Sequence, residues 1–202
     1  MNGKIILLYS VMITFVYLSG CVSQRVDYDQ TNFVLEASHT KDRQQVVNEN
    51  IILEVYSFNI NTIFSSKSLV YRESETKYET DFYNKFLISP EDMITEKTRA
   101  WMSESGLFKA VLEPGSYVDA THALQGSIIA LYGDFRDKSS PKAVMKIRYY
   151  VVDLSNRSVV FNKIYEEQVN IKDDSATSIV QALGQCMVTI LAELEADLAT
   201  EL

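Results

Sequence analysis

The sequence predicts a single α+β domain, in which two long helices pack on one face of a mostly antiparallel or mixed β-sheet. The C-terminal half of the chain has three segments with strand-like alternation, and short turns separate them. Two other segments, far apart in the chain, place apolar residues at helical spacing. Each helix needs a sheet to cover its apolar stripe, so the elements predict two layers.

Composition narrows the class of protein. The chain has 202 residues with only seven glycines and three prolines, which argues against a low-complexity chain. The formal net charge of -8 argues against a general nucleic-acid-binding surface and against polybasic attraction to anionic lipid. Two cysteines are too few for a disulfide framework or a usual zinc site.

The N-terminus has the features of a lipoprotein signal peptide. Lys4 precedes an apolar segment over residues 5–18, which has the length of a signal h-region and is short for a membrane span. The segment ends in a bacterial lipobox, Leu18-Ser19-Gly20-Cys21, where two small residues precede the thiol that accepts the lipid. The alternatives are a plain signal peptide or a membrane anchor with an incidental cysteine.

Lipidation of Cys21 predicts where the protein acts. Several acyl chains on one terminus hold a protein stably on a bilayer. No Asp follows Cys21, which favours the bacterial outer membrane, on its periplasmic side, over retention at the inner membrane. We therefore predict a signal peptide over 1–20, a lipidated terminus and polar tether over 21–31, and one domain over 32–202.

The first elements of the domain are strands. The segment over 41–48 is polar and is predicted to be a loop. The two strands nearest the first helix flank Glu73-Ser74-Glu75-Thr76 and form a plausible hairpin. The four strands predicted in this part of the chain cover 32–37, 51–58, 68–73 and 77–82.

A helix is predicted from Ser89 to Gly106. Ser89 can cap its N-terminus, Pro90 suits the first helical position, and Asp92 can reach back toward the cap. Gly106 suits the C-terminal cap. Trp101 lies on the apolar side of this helix and is expected to pack in the core.

Four strands and a long helix complete the domain. The strands are predicted over 107–112, 123–135, 143–151 and 159–171, the last three antiparallel. Gly126 and Gly133 suggest bulges or close approaches. The final helix, capped by Asp174 or Ser175, either packs its whole stripe on the sheet or extends past it toward a partner. Its acidic residues off the stripe are expected to face solvent: Glu193, Glu195, Asp197 and Glu201.

No catalytic set is visible in the sequence. His39 and His122 have no second histidine at ligand spacing, so neither is expected to bind metal or act in catalysis. Cys186 is expected to be a buried helix residue. Glu166 and Glu167 are neighbours on a predicted strand and cannot share a site. We expect no cofactor beyond the covalent lipid on Cys21.

Three stretches, in this order behind a lipobox, resemble the ABC-type transport auxiliary lipoproteins, the family of the paraquat-inducible lipoprotein PqiC. The resemblance extends over about residues 51–198 and depends on the order and spacing of short motifs. The first stretch is Leu69-Val70-Tyr71-Arg72, then Tyr83-Asn84-Lys85-Phe86 and the capped helix from Ser89. The second is Ser105-Gly106-Leu107-Phe108, then Pro114-Gly115 and Leu124-Gln125-Gly126. The third is the strand pair before the C-terminal helix.

The resemblance implies a non-enzymatic envelope subunit. Relatives work with mammalian-cell-entry (MCE) domain proteins and an ABC transporter, which move phospholipids or other hydrophobic molecules between membranes. The lipoprotein would dock the MCE component at the outer membrane, and a homo-oligomer is plausible. Tyr71, Arg72 and Tyr83 are the candidates for a partner-binding or packing role.

Two other classes remain open from the sequence. One is a structural assembly lipoprotein of an outer-membrane machine, with no lipid path of its own. The other is an enzyme such as a cell-wall hydrolase, which requires a cleft with paired carboxylates of perturbed pKa. A hydrophobic groove or lumen would distinguish a transport role from a scaffold.

Overall fold

A computed structural model describes residues 29–39 and 48–202, and it confirms the predicted fold class. The predicted signal peptide and Cys21 lie outside the described residues, as do most of the predicted tether and of the loop over 41–48. The described parts of the chain form one mixed β-sheet covered by two helices.

The described residues form nine strands, a 3₁₀ turn at Thr62–Phe64 and two α-helices. The strands are β1 Thr31–Phe33, β2 Asn48–Val55, β3 Asn59–Ile60, β4 Ser68–Arg72, β5 Tyr78–Phe86, β6 Phe108–Leu112, β7 His122–Asp134, β8 Lys142–Asp153 and β9 Ser158–Asn170. The helices are α1 Pro90–Ser105 and α2 Ala176–Glu201.

The long strand β7 organises the sheet. Strand β8 pairs antiparallel with nearly all of one edge of β7, and β9 pairs antiparallel with β8, as the sequence predicts. The other edge of β7 is shared by β2, β3 and β4, which follow one another along it and all run parallel to it. These parallel pairs make the sheet mixed.

The periphery of the sheet is completed by β1, β5 and β6. Strand β5 pairs antiparallel with β4, which confirms the predicted hairpin. Strand β1 pairs parallel with the end of β5, and β6 pairs parallel with β2. In the described part of the sheet, β1 therefore forms one edge and β9 lies at the opposite edge.

Both caps of α1 match the sequence prediction. The Ser89 side chain accepts a hydrogen bond from the Asp92 backbone N–H, and Pro90 occupies the first turn. Gly106 adopts a left-handed conformation with φ of 74°, which a residue without Cβ accepts at little cost. The caps therefore set where the chain leaves the sheet and returns to it.

The two helices cover the same face of the sheet. The hydroxyl groups of Thr98 on α1 and Tyr149 on β8 lie 3.2 Å apart in the core. Cys186 on α2 is buried, and its thiol contacts the carbonyl oxygen of Ala143 on β8 at 3.6 Å. Burial raises the pKa of this thiol to about 12, so it is an unreactive core residue, as expected.

Helix α2 packs along the sheet through its apolar stripe. All six stripe residues are buried: Ile179, Leu183, Met187, Ile190, Leu194 and Leu198. The helix is long and apolar enough to cross a membrane by length and composition, but most of its apolar window is buried in the domain. This burial identifies it as a core helix and favours packing over an extension toward a partner.

Glu195 corrects the prediction that the acids of α2 all face solvent. Its side chain is buried, and Oε2 accepts a hydrogen bond of 2.7 Å from the Trp101 indole N–H on α1. The same oxygen lies 3.0 Å from Nε2 of His39, whose side chain is also buried. The His39 ring meets Trp101 edge to face at 4.9 Å. The carboxylate therefore joins both helices to the N-terminal segment.

The segment after β1 lies directly on α2. The predicted strand over 32–37 ends early, at Phe33, yet Leu35 and Ala37 are still buried. A Cβ at Gly184 of α2 would lie 2.7 Å from the Glu36 carbonyl oxygen, so glycine permits this close approach. The segment leaves the sheet because it packs on the helix instead.

We predict that Glu195→Ala lowers the free energy of unfolding by about 3 kcal/mol, since it leaves the buried Trp101 indole N–H without its acceptor and removes the contact with His39. Glu195→Gln keeps an acceptor oxygen and is expected to cost about 1 kcal/mol. Urea unfolding of the mature chain carrying Cys21→Ser, without residues 1–20, measures both. Glu193→Ala, on the exposed side of the same helix, is the control, and an equal loss there would contradict this role of Glu195.

Candidate functional site at the β5 bulge

A bulge interrupts β5 where two of the three candidate residues meet. Ser68 of β4 pairs with Lys85, whereas Val70 pairs with Thr80, so two residues along β4 correspond to five along β5. Four residues, Asp81 to Asn84, therefore lie opposite the single residue Leu69, and we call this segment the β5 bulge. An insertion of this kind takes residues out of the ladder and re-aims their side chains.

Asp81 holds the bulge in place. Its Oδ1 accepts hydrogen bonds from the backbone N–H groups of Tyr83 at 2.8 Å and Asn84 at 3.0 Å. Its Oδ2 accepts from the Asn84 side-chain amide at 2.9 Å and from the Tyr71 hydroxyl. Burial raises the pKa of Asp81, but the hydrogen bonds from Tyr71 and Asn84 outweigh it, so the pKa lies below its usual value.

Tyr71 is a support for the bulge. Its side chain lies on the helix-covered face of the sheet, where its ring meets Phe135 edge to face at 5.7 Å. Burial and the hydrogen bond to Asp81 raise the pKa of its hydroxyl well above the usual value. The hydroxyl therefore stays protonated and donates to the carboxylate. This contact assigns Tyr71 a packing and positioning role.

Tyr83 projects from the same bulge. Its ring is about half exposed and packs edge to face on Phe82 at 5.3 Å, while Phe82 is 55% exposed. Neighbours in a regular strand point to opposite faces, so the bulge explains how these two rings lie together. Asp81 therefore connects two tyrosines. Tyr71 hydrogen-bonds to it from the helix-covered face of the sheet, and Tyr83, whose backbone N–H donates to it, has a solvent-exposed ring.

Other exposed apolar residues adjoin these rings. The pairing of β1 with β5 continues to Leu87, whose backbone N–H donates to the Phe33 carbonyl oxygen. The Lys85 ammonium lies 5.3 Å from the centre of the Phe82 ring. We call this stretch of the sheet edge the β5 patch, and its members are the exposed Phe82, Tyr83, Leu87 and Ile88 and the half-buried Lys85.

Arg72, the third candidate, lies on the opposite face of the sheet. Its guanidinium lies 5.5 Å from the centre of the Tyr78 ring and 5.9 Å from that of Tyr132. It also forms an ion pair of 2.8 Å with Glu75 in the hairpin turn. These contacts fasten the β4–β5 hairpin to β7, so Arg72 does not share a site with Tyr71 and Tyr83.

A charged cleft of about 380 Å³ lies beside this hairpin turn. A cell-wall hydrolase would need paired catalytic carboxylates in such a cleft. Arg136 forms ion pairs with both Glu75 and Asp134 there. The hydrogen bonds from Arg136 lower the pKa of Asp134, and those from Ser139 lower that of Asp137. A general acid of a hydrolase needs a raised pKa instead, so these carboxyl groups are suited to ion pairing.

The remaining candidate groups are dispersed. Among residues 29–39 and 48–202, no three His, Cys, Asp or Glu side chains lie close enough to hold a metal ion. His122 contacts Thr121 across 3.0 Å. Glu167 has a pKa raised by burial and by Glu193, and it does not line the charged cleft beside the hairpin turn.

Comparison with known proteins rests on structure. No protein-family model and no curated protein sequence matches this chain. The crystal structure of protein XCC0632 from Xanthomonas campestris, of the family model DUF330, superposes with a TM-score of 0.72 at 15% identity, over 81% of this chain and 92% of that one. The chain has the fold of this DUF330 protein.

Two further structures share the fold less closely. A protein whose function is described as uncharacterised matches with a TM-score of 0.63 at 13% identity, over 79% of this chain and 99% of that one. The hypothetical protein CT253 from Chlamydia trachomatis matches with a TM-score of 0.50 at 12% identity, over 75% and 98%. At such identities, the likeness establishes the fold alone.

Sequence reasoning missed Asp81 and Phe82, which define the site together with Tyr83. The only signal for Asp81 was its residue type, because Asp side chains commonly accept hydrogen bonds from the backbone two residues on, as Asp81 does here. The regular alternation expected over 77–82 concealed it. Phe82 was assigned to the end of a strand, where its exposure is not apparent.

We predict that Asp81→Asn lowers the free energy of unfolding by about 1–2 kcal/mol at pH 7, since the charge-assisted acceptor is lost. Because the pKa of Asp81 is lowered on folding, its contribution is present above the unfolded pKa of about 3.9 and disappears as pH falls through the lower folded value. Urea unfolding at pH 7 and in acid measures this.

The exposed Asp119 provides the control for that measurement. Asp119→Asn is expected to change stability by less than about 0.5 kcal/mol at either pH. A difference between Asp81→Asn and the wild type that is absent at pH 7, or that grows in acid, would contradict the role assigned to Asp81.

Proposed function

We propose that this protein is a non-enzymatic outer-membrane lipoprotein that docks an MCE component of an ABC-type envelope transport system. The observation that carries the proposal is the fold shared with the DUF330 protein. DUF330 is the PqiC-like family that the sequence motifs resemble. Fold and motifs are independent observations, and they support the same family of auxiliary lipoproteins.

The lipobox supports the membrane half of the proposal. Leu18-Ser19-Gly20-Cys21 follows an apolar segment of signal-peptide length. The domain begins ten positions after the predicted lipidation site, since β1 starts at Thr31. A lipid on Cys21 would therefore keep the domain close to the membrane, where a docking subunit has to act.

The chemistry of the described residues supports a docking role over catalysis. In the charged cleft, the ion pair with Arg136 holds the pKa of Asp134 below its usual value, and Glu75 pairs with the same arginine. The thiol of Cys186 is buried in the core. A docking subunit requires a stable surface and no reactive side chain, and the features above fit that requirement.

The proposed mechanism is continuity of a sheltered path. A lipid crossing water exposes its chains at a cost of about 0.8 kcal/mol for each methylene group. A tube-forming partner avoids that cost when its end is held at the receiving membrane. The lipoprotein would hold it there, because its anchor fixes one end of the domain to the bilayer and leaves other surfaces for the partner.

Co-purification tests the proposal. We expect the full-length lipidated protein, isolated from envelopes in mild detergent, to retain an MCE-domain protein and an ABC ATPase. The matched control is the mature chain with Cys21→Ser, exported behind a signal peptide whose cleavage does not require lipidation, which removes both the lipid and residues 1–20 and leaves the domain unchanged. It is expected to leave the membrane fraction yet still bind the purified MCE-domain protein, which distinguishes direct docking from a shared detergent micelle.

Two results would contradict the proposal. Recovery of an outer-membrane assembly machine without any MCE-domain protein would favour the structural assembly role. Membrane retention of the Cys21→Ser variant as strong as that of the wild type would show that the lipid on Cys21 is not the anchor.

A further inference from the structure

The β5 patch supports an inference that rests on the proposed lipid anchor at Cys21. We propose that this patch lies against the surface of the bilayer into which the acyl chains insert. The lipid would then attach the domain, and the patch would fix its orientation. The proposal draws on the position of the patch, its chemistry and its place at the sheet edge.

Covalent geometry places the patch near the anchor. Thr31, the first residue of β1, follows Cys21 by ten positions, and an extended chain spans at most about 3.6 Å per residue. Strand β1 therefore begins within about 36 Å of the anchored sulfur, whatever path the chain takes. The Gln30 side-chain amide donates to the carbonyl oxygen of Phe82 at 3.5 Å, so the chain enters the fold at the patch itself.

The chemistry of the patch fits a membrane interface. Phe82 and Leu87 are each more than half exposed, and Tyr83 adds a ring with a polar end. Aromatic residues with a polar end are enriched where membrane and water meet, and aliphatic side chains insert just below. An apolar surface thus lies where the described chain enters the fold from the side of the predicted lipid anchor.

Two lysines complete this interface. The Lys85 ammonium lies over the Phe82 ring, and the Lys67 ammonium donates to the carbonyl oxygen of Leu87 at 3.0 Å. Both amines lie beside apolar side chains and can reach headgroup phosphates while their stems stay on apolar surface. They are local positive charges in a mature chain of net charge -9, counted as 18 Lys and Arg against 27 Asp and Glu.

Fluorescence quenching on vesicles tests the orientation. The full-length lipidated protein carrying Leu87→Cys is labelled with an environment-sensitive fluorophore and incorporated into phosphatidylethanolamine vesicles with a minority of phosphatidylglycerol. Some of the lipids carry a quencher on the acyl chain. The native thiols do not compete, because Cys21 carries the lipid and Cys186 is buried.

Ile164→Cys provides the matched control. Ile164 on β9 is exposed to a similar degree as Leu87, but the pairings β1–β5, β5–β4, β4–β7, β7–β8 and β8–β9 separate the two sheet edges. We expect quenching at Leu87 to exceed that at Ile164 several-fold. Adding Phe82→Ser is expected to reduce quenching at Leu87, whereas adding the equally exposed Val159→Ser is not.

The outcomes separate this inference from the lipid anchor. Vesicle flotation with equal or absent quenching at the two sites would overturn the orientation and leave the anchor intact. Shielding of Leu87 that depends on protein concentration, without lipid quenching, would assign the patch to a second copy and overturn the inference. Loss of flotation would overturn both the anchor and the inference.

Discussion

The buried carboxylate of Glu195 is the interaction on which the arrangement of this protein depends. It joins α2 to Trp101 on α1 and to His39 on the N-terminal segment through one oxygen atom. A buried carboxylate is costly without partners, so these contacts have to form together. Their formation holds the segment before His39 on the helices, where Gly184 allows the backbone to approach closely. The same segment begins with β1 at the sheet edge, so the N-terminal end of the described chain enters beside the β5 bulge, where Gln30 donates to the Phe82 carbonyl oxygen.

The contacts of Glu195 and those of Asp81 have different effects. Glu195 holds the segment before His39 on the helices, and Asp81 fixes the conformation of the β5 bulge, which exposes Phe82 and Tyr83. Tyr71 supports Asp81 from the helix-covered face, while Phe82 and Tyr83 lie outside. In our proposal, the sheet edge formed by β1 and β5 faces the membrane, and the other surfaces of the domain remain accessible to a partner. A non-enzymatic docking role requires such a separation of surfaces, and it requires no reactive group.

Local signals in the sequence predicted most of the elements, because caps and alternation are properties of neighbouring residues. The caps Ser89 and Gly106 and the antiparallel strands β7 to β9 are confirmed on this basis. The parallel pairing of β2, β3 and β4 with β7 could not be predicted from the sequence, since it depends on contacts between segments that are distant in the chain. Glu195 was wrongly assigned to solvent because its partners, Trp101 and His39, are about 94 and 156 residues away. Of the candidate residues, Tyr71 and Tyr83 both hydrogen-bond to Asp81 of the bulge, whereas Arg72 lies on the other face.

Hydrogen–deuterium exchange tests directly whether the β5 patch faces the membrane, because it follows the backbone amides of the whole domain in one experiment. The lipidated protein in lipid nanodiscs is compared with the mature Cys21→Ser chain, which lacks residues 1–20, in solution. If the β5 patch lies on the bilayer, exchange at β1 and at residues 82–88 is slower in the nanodisc, and exchange at β9 is unchanged. Slower exchange at β9, or an unchanged β5 bulge, would contradict it.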